Sequence, residues 1–439
     1  MDGIRENVQI IALIIFIVTY GSLMIFGKYR THIALGSALI FIFLGILPLD
    51  EVFATIDWNV IMMIAGTMGI VYLFTESKMP ALLADELISR MPDVKWAVVS
   101  LSLFAGIISA FVDNVATVLM VAPVALTIAK KLKISPVPSI ICIALSSNLQ
   151  GAATLVGDTT SILLAKAANL DFFDFFYMNN KIGMFFVVQA GAMVSVMLML
   201  FMFRKENNKI QMKERTKVTD YFPTIMLLLT LATLIVVSFI PYKSAAAPGQ
   251  LYKPEITNGL VCIVFFLIGI TKELVKNKNK ELVKNAFKEI DFATILLLTG
   301  LFIVIGGIKN AGIIDSVSKI ISSMSGGSVF IIYSIIVWMS VFFSAFIDNI
   351  PYVATMLPVV AGISNTLGID PNLLYFGLLC GATLGGNMTP IGASANIAGI
   401  GILRKEGYEV QAKTFMKYGI PFTLSAVTVG YVLIWFLWK

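Results

Sequence analysis

Apolar residues run along this chain in long blocks separated by short charged or polar interruptions. Blocks at 8–26, 32–49, 59–75, 181–203, 222–240, 256–270, 292–308 and 419–438 carry almost no charge, and each predicts a membrane-spanning helix. Two other stretches, 96–168 and 329–403, are equally apolar but are interrupted by Pro, Gly, Asn and Asp. In the first, arms 96–111 and 115–130 flank an Asp113-Asn114 pair. An arm of that size is about 24 Å long as a helix, short of the roughly 30 Å hydrocarbon core. The pattern therefore predicts a re-entrant hairpin over 96–132 with Asp-Asn at its tip. Arms 329–346 and 350–367 predict a second hairpin over 329–367, tipped by Asp348-Asn349. After each hairpin comes a crossing whose middle is polar and glycine-bearing, 150–158 within 138–168 and 385–394 within 373–403. These read as broken helices. Residues 81–91 form an amphipathic stretch suited to the membrane interface.

The two interrupted stretches are copies. Residues 109–162 match 344–397 at a constant offset of 235 with no gap. Ser109-Ala110-Phe111-Val112-Asp113-Asn114 returns as Ser344-Ala345-Phe346-Ile347-Asp348-Asn349, and Gly151, Thr154 and Gly157 return as Gly386, Thr389 and Gly392. Asp57-Trp58 and Asp291-Phe292 open the two copies. Five crossings separate those openings, an odd number, so the copies should lie upside-down to each other in the bilayer, an arrangement typical of secondary transporters. Chance similarity of apolar segments does not explain recurring Asp-Asn pairs, which are costly in lipid. The organisation expected is N-terminal scaffold helices over 1–56, a first repeat over 57–203, cytoplasmic loops with two connecting helices over 204–290, and a second repeat over 291–439. The fold class is all-α and polytopic.

Composition agrees with the pattern and excludes a soluble protein. The chain has 439 residues, 58% of them apolar and only 13% charged, too few to cover a water-facing surface. The net charge of +6 is unevenly placed. Loops 28–30, 76–95, 130–133, 204–217, 272–288 and 404–417 hold 24 Lys and Arg, and the opposite segments hold 7, namely Arg5, Lys181, Lys243, Lys253, Lys309, Lys319 and Lys439. The positive-inside rule puts the first set in the cytoplasm of a cell-membrane protein, giving ten crossings, two hairpins and both termini outside. Lys166 stands apart and reads as a snorkelling side chain. Cys142, Cys262 and Cys380 are scattered through apolar runs, and His32 is the only histidine, so neither a zinc or haem site nor histidine catalysis is indicated.

The chemistry should reside where polar groups enter lipid. Unwound backbone at membrane depth must line a cavity or be buried in protein; its carbonyls coordinate cations, and half-helix N-termini attract anions. The candidate ion and substrate residues are Asp113, Asn114, Thr154, Gly157, Asp158 and Ser161 in the first repeat. In the second they are Asp348, Asn349, Asn387, Thr389, Gly392, Ser394 and Asn396. Asp113 and Asp348 are related by the repeat and suit proton or cation exchange, or serve as caps for the helices that follow them. Asp158 is matched by Ala393, Asn387 by Ala152 and Asn396 by Ser161, and these asymmetries point to discrimination rather than architecture.

The Ser-Ala-Phe-x-Asp-Asn motif in both halves, with Gly385-Gly386-Asn387-Met388-Thr389-Pro390-Ile391-Gly392-Ala393-Ser394-Ala395-Asn396 in the second, resembles the ion transporter superfamily over nearly the whole chain. The nearest branch is the arsenite-permease and melanocyte P-protein type. Sodium/proton antiporters of the NhaD type and sodium-coupled di- and tricarboxylate carriers are more distant kin. In those carboxylate carriers the tips read Ser-Asn-Thr and form sodium and carboxylate sites. Here Asp113 and Asp348 stand at the Ser position, and Val115 and Ile350 at the Thr position. The extra charge opposes a polyanion and favours a cation, with Asp113, Asn114, Asp348 and Asn349 as the Na⁺ candidates. The first break reads Asp158-Thr159-Thr160-Ser161, without the Thr-Pro-Pro-Asn of many members. The resemblance implies a scaffold and a moving transport unit, often dimeric, with no cofactor beyond the coupling ion. The expected function is secondary active transport of a small anion or oxyanion coupled to H⁺ or Na⁺. Na⁺/H⁺ antiport is the alternative within that class, and an ion channel the alternative from another. For arsenite, Cys142 and Cys380 are tempting because each precedes a break. An intramembrane enzyme lacks a visible nucleophile–base pair, and no nucleic-acid partner is indicated.

Overall fold

The computed structural model describes residues 2–209, 215–218, 220–242, 250–276, 278–324 and 328–439. Lys213 and Lys243 of the charge count lie outside the described residues, as do the side chains of Arg5 and Lys319. Among the described residues the regular structure is helical apart from one short antiparallel hairpin, Tyr177–Met178 with Lys181–Ile182. In chain order the helices are α1 Asp2–Ile25, α2 Arg30–Phe43, α3 Val52–Thr55, α4 Trp58–Glu76, α5 Met79–Ser89, α6 Val94–Ser109, α7 Asn114–Leu132, α8 Val137–Gly151, α9 Thr159–Ala168 and α10 Met184–Met202. A second ten follow: α11 Phe222–Ser238, α12 Thr257–Val275, α13 Lys280–Lys288, α14 Phe292–Asn310, α15 Ile313–Met324, α16 Val329–Ser344, α17 Asn349–Leu367, α18 Asn372–Gly385, α19 Ser394–Lys405 and α20 Ala412–Trp438. The second set tracks the first in order and, from the pair α4 and α14 to the pair α9 and α19, closely in length; α20, with 27 residues, outruns the 19 of α10. α4 and α14 have 19 residues each, α6 and α16 have 16, and α7 and α17 have 19.

Among the described residues, seven helical segments are long and apolar enough to cross a membrane. The segments containing α4, α10, α12, α14 and α20 coincide with expected spans. α7 and α17, expected as hairpin arms, also reach that length. The expected span 32–49 is cut short. α2 stops at Phe43 because Gly45 takes φ 67°, and the Ile46 and Leu47 amides fold back onto the Phe41 carbonyl. This is a glycine C-cap, and Pro48 follows it. The amphipathic stretch at 81–91 forms α5, with Ala84 and Ile88 buried and Asp85 and Glu86 half-buried, Asp85 accepting from Thr216.

The helices pack as two bodies. A frame comprises α1 to α4 and α11 to α14, in which the crossings exchange partners: α4 packs on α12, and α14 on α2. Small residues make these contacts close. A Cβ on Gly66 would lie within 3 Å of the Cys262 backbone, and one on Gly300 within 3 Å of Ala34. A core body comprises α6 to α10 and α16 to α20. There, Gly377, Gly381 and Gly385 bring α18 onto Tyr333, Val337 and Val341 of α16. The large apolar side chains turned outward, such as Phe186, Met193, Met197 and Phe201 along one face of α10, are those expected when lipid is the solvent. A polar clasp joins the bodies at one end. Lys253, before α12, donates to Asp171 at 2.6 Å, and Tyr242 and Asn258 donate to the same carboxylate. Lys166 pairs with Glu255 at 2.9 Å and Asp57 at 3.4 Å, so it is an ion-pair partner rather than a snorkelling side chain.

Candidate functional site

Each hairpin tip is a capped helix start. Asp113 ends the turn after α6, and its Oδ1 accepts the Val115 and Ala116 amides at 3.0 and 3.1 Å. Asp348 does the same for α17 through Ile350 N–H at 3.1 Å. An aspartate at this position satisfies amides that the first helical turn leaves free. The sequence reading of these residues as caps therefore describes one of their roles.

Each break is pinned to the tip of its own hairpin. The Thr154 hydroxyl donates to the Ala110 carbonyl, and Thr389 donates to Ala345 in the same way. Gly157 and Gly392 lie against these same carbonyls with no room for a side chain. Ser161 donates to Gly151 at 3.0 Å, and Asn396 donates to Gly386 and Thr389 at 3.0 Å, so these two close their breaks from within. Buried backbone carbonyls freed by the breaks thus find partners.

An amide chain then crosses between the repeats. Asn114 donates to Asn148 at 2.9 Å, and Asn148 donates to Asn387 at 2.8 Å and Asn396 at 3.0 Å. Asn387 completes it by donating to the Leu145 carbonyl at 2.9 Å. On the other side, Asn349 donates to Asp158 at 3.2 Å. Thr160 donates to the same Asp158 oxygen at 2.9 Å and shares a hydrogen bond with Thr383. Asp158, 5% exposed, is buried among polar partners of both repeats.

A cavity of about 430 Å³ opens beside this network. Asp113, Asn114, Asp158, Asn349 and Ser394 line it, so five of the sequence-predicted residues share one space. Thr154, Gly157, Ser161, Asn387, Thr389, Gly392 and Asn396 do not line it; they hold the breaks and the amide chain in place. Asp348 also stands outside the lining, because its carboxylate is engaged by Arg30. The rest of the wall includes Glu76, Glu289 and Asp291 near the ends of α4 and α14, and among the described residues no Lys or Arg contributes to it. A second cavity, of about 890 Å³, lies at the opposite end of α14, lined in part by Glu51, Lys166 and Lys309. Cys142, Cys262 and Cys380 are all buried free thiols, and none lines either cavity, which removes the structural basis for a thiolate site.

Several residues here escaped the sequence reading. Asn148 sat within a stretch read as plain helix, yet the offset of 235 pairs it with Thr383, another polar residue in an apolar run. That pairing was the available signal. Arg30 was counted as loop charge. Asp291 was read only as the opening of a repeat, although it also caps α14.

Comparisons with known proteins converge on transport. A protein of Mycobacterium tuberculosis named "Uncharacterized transporter Rv2685" is 28% identical over 438 residues, covering 97% of this chain and 98% of the relative. The human P protein is 25% identical over 87% of this chain, which spans 54% of that longer protein. The P-protein resemblance read from the motifs is thus met directly. Among solved structures, the YdaH transporter of Alcanivorax borkumensis superposes with a TM-score of 0.62 at 13% identity, covering 94% of this chain and 97% of that one. MtrF of Neisseria gonorrhoeae superposes with a TM-score of 0.56 at 16% identity, covering 88% and 83%. Both likenesses are of fold. The model of the citrate transporter family matches residues 11–381, most of the chain and both hairpins. This chain is a multi-pass membrane carrier that belongs to the citrate transporter family.

Proposed function

We propose that the chain is a secondary active carrier that moves a small anion together with a coupling cation, H⁺ or Na⁺. The observation that carries this reading is the charge asymmetry of the two breaks at one polar cavity. Asp158 places a carboxylate at the start of α9, whereas its repeat mate Ala393 places none at the start of α19; neither helix has a side-chain cap hydrogen bond. The first break therefore suits a cation and the second an anion, since a helix N-terminus carries partial positive charge. The family's name makes a carboxylate the first anion to try. The acid-rich wall implies an order of binding. A cation at Asp113 or Asp158 offsets the charge that would otherwise repel the anion. The inverted placement of the two repeats supplies a site reachable from either side.

Flux into proteoliposomes, with imposed Na⁺ or pH gradients and a panel of carboxylates and oxyanions, tests the reading. Saturable uptake driven by one gradient is expected. Asp113→Asn and Asp158→Asn should each lower gradient-driven uptake about tenfold or more while the protein still purifies as folded material. Ala393→Asp should abolish anion uptake. Flux that neither saturates nor depends on a gradient would return the channel reading. The wall without Lys or Arg favours one second reading, Na⁺/H⁺ antiport, which predicts cation exchange with no anion in the panel transported.

A further inference from the structure

The ion pair between Arg30 and Asp348 is a bond between the two bodies of the fold. Arg30 is the first residue of α2 in the frame, and its neighbour Thr31 is anchored there by donating to the Ala293 carbonyl of α14 at 3.0 Å. Asp348 tips the second hairpin of the core body, and its Oδ2 lies 3.4 Å from the Ser394 hydroxyl as well as on Arg30. Seven residues on, two turns along the same face of α17, the Thr355 hydroxyl bonds to Tyr20 of α1. The first hairpin is also attached to the frame along its helix, where Met120, the repeat mate of Thr355, accepts from the Thr75 hydroxyl of α4 at 3.0 Å, but no guanidinium holds its tip. Asp113 accepts only backbone amides, no ion pair reaches it among the described residues, and it faces the cavity. Two carboxylates that the repeat makes equivalent are thus in opposite states, one open and one held by a guanidinium.

We infer that Arg30 is a tethered cation occupying the second-repeat carboxylate, and that a mobile coupling cation must replace it at Asp348 before the second hairpin can move against the frame. This rests on the reading of the chain as a cation-coupled carrier. A tethered guanidinium, unlike a mobile cation, cannot diffuse away from its carboxylate. The pair is largely enclosed, with side chains 26% and 17% exposed, so parting it without a substitute leaves an uncompensated carboxylate among Asp158, reached through Asn349, and Ser394. A cation that binds Asp348 only when Arg30 has left shifts the balance toward the released state, which is what coupling requires. Arg30 is then a positioning residue that sets the cation requirement without touching the anion.

The test uses Leu119→Cys, in the cavity wall, as a reporter for an impermeant maleimide, since the native thiols are buried. In the otherwise wild-type protein, labelling should change with added Na⁺ at fixed pH or, in the other arm, with proton concentration at zero Na⁺; the arm that responds identifies the cation. With Arg30→Gln the labelling should no longer respond, and the cation concentration for half-maximal uptake should fall about fivefold or more. Arg30→Lys should keep the response. Should Arg30→Gln fail to fold, Asp348→Asn, which retains a capping oxygen, should also abolish the response. A folded Arg30→Gln protein whose labelling response and half-maximal cation concentration match wild type overturns the inference. If no anion in any panel is transported but Arg30→Gln still abolishes the labelling response, the anion reading fails and the inference stands.

Discussion

Gly157 and Gly392 show how closely the breaks are built. A Cβ on Gly157 would lie 2.8 Å from the Gly151 carbonyl oxygen and 3.0 and 3.1 Å from those of Ser109 and Ala110. On Gly392 the same three contacts would be 2.6, 2.9 and 2.9 Å, to Gly386, Ala345 and Ser344. Backbone oxygens cannot retreat as a flexible side chain can. Gly157→Ala should therefore cost about 1–3 kcal/mol through overpacking and lower the unfolding midpoint in detergent by several degrees. Gly401→Ala, inside α19 with nothing within 4 Å of the added carbon, should leave the midpoint unchanged or raise it. Equal midpoints for the two variants would remove the close approach from the account. The repeat made both break glycines legible in the sequence, because a residue demanded twice by one geometry recurs at one offset. Arg30 was illegible for the opposite reason. It has no repeat mate in the matched segments and sits among loop charges, and only tertiary packing brings it to a position 318 residues away.

Among elements, the apolar blocks announced most helices but not their ends. α20 begins at Ala412 rather than 419, because Lys413 and Lys417 ride on its first turns and interrupt the hydropathy without interrupting the helix. The short strands over 177–182 were likewise hidden, since two residues per strand carry no periodic signal. The seam between α11 and α12 carries a measurable consequence. Asp220 lies just before α11; burial pushes its carboxyl up, but hydrogen bonds from Lys272 on α12 and from the Phe222 amide, with the Lys272 and Lys276 charges, outweigh that and hold it below the ordinary carboxylate value. A depressed carboxylate contributes stability above its unfolded value, near 4, and loses it as pH falls through the lower folded value. Lys272→Gln should lower the unfolding midpoint at neutral pH by an amount worth no more than about 1 kcal/mol, since the pair is part-exposed. The gap between the two proteins should close as pH falls below about 4. A gap that is constant from pH 7 to pH 3 would assign Lys272 a packing role instead.

At the scale of the whole molecule, the crossing count decides the orientation of the repeats. From α4 to α14 the path contains α4, the first hairpin, the α8–α9 crossing, α10, α11 and α12. The hairpin contributes either no crossing or two, so the 19-residue length of α7 does not alter the parity, and the count stays odd. The two repeats are then expected to face opposite ways, and the exchange of α2 and α12 between them is what a two-fold axis through the frame would produce. The bias of 24 basic residues against 7 predicts the absolute direction, with Ser89 and Asn207 expected in the cytoplasm and Asn310 and Lys439 outside. All four are exposed, and the three native cysteines are buried, so single cysteines introduced there report cleanly. An impermeant maleimide applied to intact cells should label Asn310→Cys and Lys439→Cys, and should reach Ser89→Cys and Asn207→Cys only after the membrane is opened. Reversal of all four would invert the protein but keep the parity. Ser89 and Asn207 on opposite sides would break the count itself, and with it the argument that one site between two inverted halves is presented alternately to each face of the membrane.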